Sequence, residues 1–252
     1  MDNPMITIEG VTKRYGSLTA ISNLTLQVGK GGIFGYLGPN GSGKTTTIKL
    51  IIGLVRSDEG RITVDGIDVA NDPIAVRSII GFVPDTPFIY NKLTGREFLR
   101  FVGGLYSMER KDMENRIEWL CDTFEMNGWI DRRTEEYSHG MKQKVVMAAA
   151  FLHRPKLLIV DEPMVGLDPQ SARLVKDMLT LISEHGTTVF MSSHDLSVVQ
   201  ELCHRMAIIY KGSIVAEGTL DDLRKHAEME GESLENLFLK LTGNTTKATF
   251  ME

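Results

Sequence analysis

Eight consecutive residues, Gly38-Pro39-Asn40-Gly41-Ser42-Gly43-Lys44-Thr45, have the types and spacing of a phosphate-binding loop. Gly38, Gly41 and Gly43 permit backbone conformations that turn successive N–H groups inward around phosphate oxygens. Lys44 brings a point charge to the outer phosphates, and Thr45 offers a hydroxyl to Mg²⁺. A helix is expected to start here, with Thr46 among the nucleotide contacts, and its N-terminal dipole favours an anion. A second group follows in Leu157–Glu162, which sets two carboxylates at the end of an apolar run. Carboxylates in such a place are costly unless a cation or hydrogen bonds compensate them. Asp161 is expected to hold Mg²⁺ directly or through water, and Glu162 to polarise an attacking water. The alternative is a charged strand end in solvent. Tyr15 can stack on a base or simply pack. His194 can reach a terminal phosphate, although a lone histidine is commonly structural.

These residues need a scaffold, and the hydrophobic pattern supplies one. Ile33–Leu37, Ile79–Val83, Leu157–Val160, Thr188–Met191 and Met206–Tyr210 are near-continuous apolar runs, expected as strands of a sheet covered on both faces. Ile6–Glu9, Leu24–Val28 and Ile62–Asp65 alternate, as half-exposed antiparallel strands do. A Lys211-Gly212 turn is expected to return Ser213–Glu217 onto Met206–Tyr210. Between Pro87 and Arg154 the pattern is helical: Thr94 and Glu97 form a capping-box signature, and Phe98, Phe101, Val102 and Leu105 recur at helix spacing. Ile117, Leu120, Cys121 and Phe124 repeat that stripe. Leu234, Leu237, Phe238 and Leu241 make a last one, suited to the core or to a partner. The expected organisation is one unit over residues 1–242: an α/β core at about 1–86 and 155–218, a helical subdomain at about 87–154, and a helical tail at 219–242. Residues 243–252 are expected to fray.

Composition narrows the classes. The 252 residues are 42% hydrophobic and 24% charged, the mix of a soluble globular chain. A formal net charge of −5 speaks against a general nucleic-acid-binding surface. The two cysteines, Cys121 and Cys203, lie outside any metal-ligand spacing and are expected as reduced, buried thiols. The beginning of the chain lacks a signal pattern and no apolar run approaches the ~20 residues that cross a bilayer, so a membrane role requires a separate partner.

One further segment, Tyr137-Ser138-His139-Gly140-Met141-Lys142-Gln143-Lys144, makes the set specific. With it the chain resembles the ATP-binding cassette (ABC) family from Ile6 to about Gly218: this segment is similar to the family's signature, Gly166-Leu167-Asp168-Pro169 to its D-loop, His194 to its switch histidine and Tyr15 to its base-stacking aromatic. The resemblance implies a P-loop nucleoside triphosphate hydrolase (RecA-like) fold with an antiparallel β annex and an inserted helical subdomain. It implies ATP and Mg²⁺ as ligands and a head-to-tail dimer, homomeric or with a related subunit. Ser138, Gly140 and Asp168 of one subunit would then face the phosphate loop of the other. Ser138 can also serve purely as a helix N-cap.

The chain departs from the family pattern in Asp85, where glutamine is usual, and in His139 and Met141. Asp85 is expected to act through the metal or water, or to face the partner, since a carboxylate repels an unshielded phosphate. The pattern is most similar to ATPase subunits of bacterial export systems, which work with a separate membrane permease. That implies a cytoplasmic protein peripheral on the inner face of the membrane, with Pro84–Leu93 as the docking surface or an ordinary loop. A soluble relative acting on ribosomes or DNA would need a second cassette or long inserts. A GTP switch would need an aspartate missing from Asn91-Lys92-Leu93-Thr94.

Overall fold

The computed structural model describes residues 4–227, 229 and 231–243. Its main sheet has six strands in the order β10 (Ser213–Gly218), β9 (Arg205–Tyr210), β3 (Ile33–Leu37), β8 (Thr188–Ser193), β7 (Leu157–Asp161) and β6 (Ile80–Val83). All neighbours run parallel except the β10–β9 hairpin at the edge. Every residue of β3, β7 and β8 is buried, so these strands are covered on both faces. The two faces can be told apart along β7. Leu157 and Ile159 enter one core and Leu158 and Val160 the other, as a period of two dictates.

The first core lies under a second, antiparallel sheet of β2 (Leu18–Val28), β1 (Ile6–Tyr15), β4 (Glu59–Val64) and β5 (Ile67–Asp68). Two helices, α1 (Lys44–Ile51) and α2 (Pro73–Ser78), also contribute to it. Phe34 and Phe190 stack inside it at 5.9 Å, and the buried Tyr36 hydroxyl is within 3.1 Å of Thr47 Oγ1.

On the other face lie α3 (Gly95–Leu105), α4 (Arg110–Thr123) and α5 (His139–Phe151), with no strand between Pro87 and Arg154. The capping box at the start of α3 is present in both directions, Glu97 N–H to Thr94 Oγ1 at 3.1 Å and Thr94 N–H to Glu97 Oε2 at 2.8 Å. α5 lies against β6, because Gly81 has no side chain to hold off the Ala150 carbonyl. The apolar stripe of α3 differs from expectation: Phe98 and Leu99 are buried, whereas Phe101 and Leu105 are exposed. The helix turns its Gly103 side to α4, where Met113 fills the space a Cβ would take.

The remaining helices are α6 (Pro169–Glu184), α7 (Leu196–Leu202), α8 (Leu220–His226) and α9 (Leu234–Leu241). The tail stripe packs on its own chain: Leu234 and Leu237 are buried in the helical-side core, with Phe238 and Leu241 partly buried beside them. Lys240 Nζ donates to the Ala227 carbonyl at 2.6 Å and ties α9 to the end of α8. Residues 244–252, where fraying was expected, lie outside the described residues. Cys121 and Cys203 are buried free thiols, pushed up by burial to about 11 and about 12.

Candidate functional site

The loop from Gly38 to Gly43 joins the end of β3 to the start of α1. Gly41 and Gly43 have φ of 78° and 114°, in the region that favours glycine, and Gly43 is the N-cap of α1 without a side-chain cap. No side chain therefore competes for the first N–H groups of the helix, which remain available to an anion. A Cβ on Gly38 would lie 2.5 Å from the Ile209 carbonyl, so only glycine fits there.

The loop is fastened from a distance: Gly212 N–H donates to the Ser42 carbonyl at 2.9 Å, and Ser22 N–H to the Gly212 carbonyl at 2.9 Å. Lys44 is buried and folded back over the loop, donating to the Gly38 carbonyl at 2.7 Å, with Glu162 Oε1 at 3.4 Å. Ser42 is buried too, and its hydroxyl has no partner among the described residues.

β7 delivers the two carboxylates. Asp161 is buried, accepting from Ser192 Oγ on one oxygen and from Thr45 Oγ1, at 3.3 Å, on the other. Burial pushes its pKa up; the Ser192 hydrogen bond opposes this, while the charges of Asp85 and Glu162 add to it. Such a carboxylate calls for a cation. Among the described residues, no group of three or more His, Cys, Asp or Glu side chains is gathered for a metal. The donor set is instead one hydroxyl and one carboxylate side by side. That suits Mg²⁺, which keeps several waters and takes phosphate oxygens.

Glu162 has φ of +48°, a left-handed conformation that costs a non-glycine residue about 1–3 kcal/mol. Its N–H is held by Ser192 Oγ at 3.2 Å. Glu162 Oε2 is 2.7 Å from His194 Nδ1 and accepts from His194 N–H at 3.3 Å. The strained backbone and these contacts fix the carboxylate between Lys44 and His194.

These groups open on one cleft of about 560 Å³. Tyr15, Pro39, Asn40, Gly41, Gly43, Lys44, Thr45, Thr46, Asp85, Asp161 and Glu162 all line it; His194 stands behind Glu162. Asp85 is exposed there, its carboxylate accepting from Thr86 N–H at 2.8 Å. The cleft can cradle a polyphosphate on backbone N–H groups and Lys44, and hold a cation at Thr45 and Asp161. It can also orient a water on Glu162.

Ser138, Gly140 and Asp168 are elsewhere. They line a second depression of about 650 Å³ between the N-termini of α5 and α6. Ser138 caps α5, accepting from Met141 N–H at 3.3 Å. Asp168 caps α6, accepting from Ser171 Oγ at 2.6 Å and from the N–H groups of Gln170 and Ser171 at 3.0 Å. These bonds hold its carboxyl below the ordinary range. The two helix ends touch: a Cβ on Gly140 would lie 3.1 Å from Ser171 Oγ.

Sequence reasoning missed Ser192, which carries both Asp161 and the Glu162 backbone. Its only signal was a serine pair ending a buried strand just before His194. Also missed were Leu18–Ala20 and Lys211-Gly212 as walls of the cleft. The Lys211-Gly212 turn was legible as a turn, with both residues at positive φ, but its distant neighbours were not.

Comparison with known proteins identifies the family. Residues 21–165, more than half of the chain, match the family model described as ABC transporter. The linearmycin resistance ATP-binding protein LnrL of Bacillus subtilis (strain 168) is 37% identical over 219 residues, 87% of this chain and 70% of that protein. A solved structure of an ATP binding subunit of an ABC transporter superposes with a TM-score of 0.89 at 32% identity, covering 94% of this chain and 99% of that one. The ATP-binding cassette MJ0796, solved as a dimer in a post-hydrolysis state bound to ADP and Pi, superposes with a TM-score of 0.78 at 25% identity. That match covers 86% of this chain and 99% of that one.

Proposed function

Because this chain belongs to the ABC transporter family, as an ATP-binding subunit and ATPase, we propose that two copies, or one copy and a related subunit, close head to tail around two Mg-ATP and drive a separate membrane permease. The observation that carries this reading is the separation of the two half-sites. Lys44, Asp161 and Glu162 line one cleft, while Ser138 and Gly140 stand at a helix N-terminus in another depression. A second subunit would bring the α5 N-terminus to the outer phosphate, where its free N–H groups and dipole favour an anion.

Within the closed site each residue has a task that its geometry supports. The N–H groups of Gly41 and Gly43–Thr46 and the Lys44 ammonium bind the phosphates, and Tyr15 stacks on the adenine. Thr45 and Asp161 hold Mg²⁺, which when bound neutralises charge on the phosphate oxygens. Asp85, in the same cleft, would add negative charge that favours such a cation. Glu162 accepts a hydrogen bond from the attacking water and aligns it with the terminal phosphate. His194 keeps that carboxylate in place through its 2.7 Å contact and presents its other ring nitrogen to the departing phosphate. Asp168 sets the start of α6 at the dimer interface.

Among the described residues no helix is long and apolar enough to cross a membrane. The docking surface for the permease is assigned to Pro84–Leu93, where Phe88 and Tyr90 are 69% and 48% exposed and pack edge to face at 5.5 Å. The protein would sit in the cytoplasm against the inner face of the membrane, with no nucleic acid as partner. Resemblance to a resistance protein supports export as the direction.

Mixing two damaged chains tests the composite site. Lys44→Ala and Ser138→Arg are each expected to be inactive as homodimers. Their equimolar mixture regains ATPase activity, since a mixed dimer holds one intact site. A mixture as inactive as its parts would overturn the arrangement.

A further inference from the structure

A cavity of about 220 Å³ opens where α4 and α5 of the helical unit meet the end of α6, away from the nucleotide cleft. Its apolar walls are Trp119, Phe151, Leu181 and Ile182, with Arg116 and Arg154 supplying charge and His185 and Thr187 completing the lining. The Arg116 guanidinium lies 4.1 Å from the Trp119 ring centroid and 5.3 Å from that of Phe151. One of its terminal nitrogens donates to the Phe151 carbonyl at 3.3 Å, whereas its Nε is buried with no acceptor among the described residues.

Its neighbour is provided for: Arg154 pairs with Asp112 at 3.0 Å. Arg116 forms no ion pair among the described residues. Burial and the positive charge of Arg154 hold its pKa down to about 10, against the opposing charge of Asp112, which is itself paired with Arg154. A half-buried cation in this position gains from an anion that replaces the water it has lost.

We propose that this cavity binds a small carboxylate carrying an apolar or aromatic group, its charge on Arg116 and its body against Trp119, Phe151, Leu181 and Ile182. The planar fork of a guanidinium matches a carboxylate, and four apolar walls reward a hydrophobic body over a bare inorganic ion. The volume admits a compact acid and is below that of typical drug-sized pockets. Such a ligand touches the helical unit and α6 together, which makes the cavity a place where a small organic acid bears on the packing of one against the other. Neither the phosphate loop nor the signature segment takes part.

Titration of the full chain with sodium benzoate, by calorimetry and by tryptophan fluorescence, tests the site. The expected result is saturable one-site binding with a Kd of about 1 mM or tighter. Arg116→Met weakens it about 10-fold or more, as loss of a charged hydrogen-bond donor does. Leu181→Phe fills the cavity while leaving Arg116 in place, and it removes binding as well. That second variant decides the matter if Arg116→Met does not fold. Lys44→Ala binds benzoate as the unaltered chain does. Absence of saturation, equal binding of benzamide or inorganic phosphate, or undiminished binding by a folded Arg116→Met or Leu181→Phe overturns the proposal.

Discussion

The two depressions that carry the motif residues are built on opposite principles. The phosphate-loop cleft is crowded with charge whose partners are already engaged: Lys44 on the Gly38 carbonyl and Glu162, Asp161 on Ser192 and Thr45, Glu162 on His194. The depression at α5 and α6 holds two helix caps, each satisfied within its own first turn. The cleft stores cost in a buried carboxylate and a left-handed Glu162, whereas the two caps of the depression have ordinary extended backbones. On the proposed reading catalytic power resides in the cleft, and the depression of a second subunit contributes by arriving. Substitutions in the first should change chemistry, and those in the second should change assembly.

The sharpest way to break that distinction is Glu162→Gln. It keeps the shape of the side chain and removes its negative charge, so kcat is expected to fall by about 10²–10⁴ while ATP binding is retained. An ATP-stabilised dimer should then accumulate in sedimentation. Loss of dimerisation along with turnover would merge the two roles.

Next in size is the double change Phe88→Ala, Tyr90→Ala on the exposed aromatic surface. Recovery of the chain with solubilised permease should drop about tenfold or more, as loss of aromatic interface anchors commonly causes, with hydrolysis by the isolated chain unaltered. Co-purification at the original level would move docking elsewhere.

Ser138→Ala sharpens the comparison from the other side. Removing the cap is expected to cost about 0.5–2 kcal/mol of stability. The decisive measurement is the ATP concentration needed for half-maximal dimer in a Glu162→Gln background. It should rise, with binding of ATP to the monomer unaltered. A shift in monomer affinity would mean that Ser138 belongs to the cleft of its own chain.

The smallest effect is a pH dependence of the nucleotide-free protein. The folded-state pKa of Asp161 lies above its unfolded value. Its contribution to stability is thus fully present below the ordinary carboxylate range and is lost as pH rises through the raised folded value. Asp161→Asn should accordingly melt slightly above the unaltered chain at neutral pH, and the difference should vanish in acid. Asp85→Asn removes one of the charges that raise this pKa and should shift the midpoint downward. Equal melting curves at every pH would remove Asp85 from the neighbourhood of Asp161 in solution.

Much of this was legible in the residues. β3 spans Ile33–Leu37 as its apolar run indicates, and the Thr94/Glu97 box starts α3 where its spacing says, because both features are set by near neighbours. The outward face of α3 was hidden, since Phe101 and Leu105 have the right period and only the approach of Met113 to Gly103 decides which side is covered. Ser192 was hidden for the same reason: its importance lies in a neighbour on another strand, 31 residues away. The motif chemistry lies in contiguous residues, whereas the contacts that orient it are between strands far apart in the chain. The second depression shows the limit from the opposite direction. Ser138 and Asp168 satisfy ordinary capping patterns, and nothing local separates a cap from a cap that also meets a phosphate.

The hydrogen bonds that run from Ser22 to Gly212 and from Gly212 to Ser42 also set an order of events during synthesis. The phosphate loop leaves the ribosome first, and its clasp at Gly212 is translated about 170 residues later. At typical elongation rates that is a wait of roughly 10–30 s. Throughout that interval the loop lacks the partner that fixes its Ser42 carbonyl, and contacts of such long range form late in folding. A nascent chain halted before β9 would carry every residue of the phosphate motif and still lack its clasp, so nucleotide competence is expected to appear only after Gly212 has emerged.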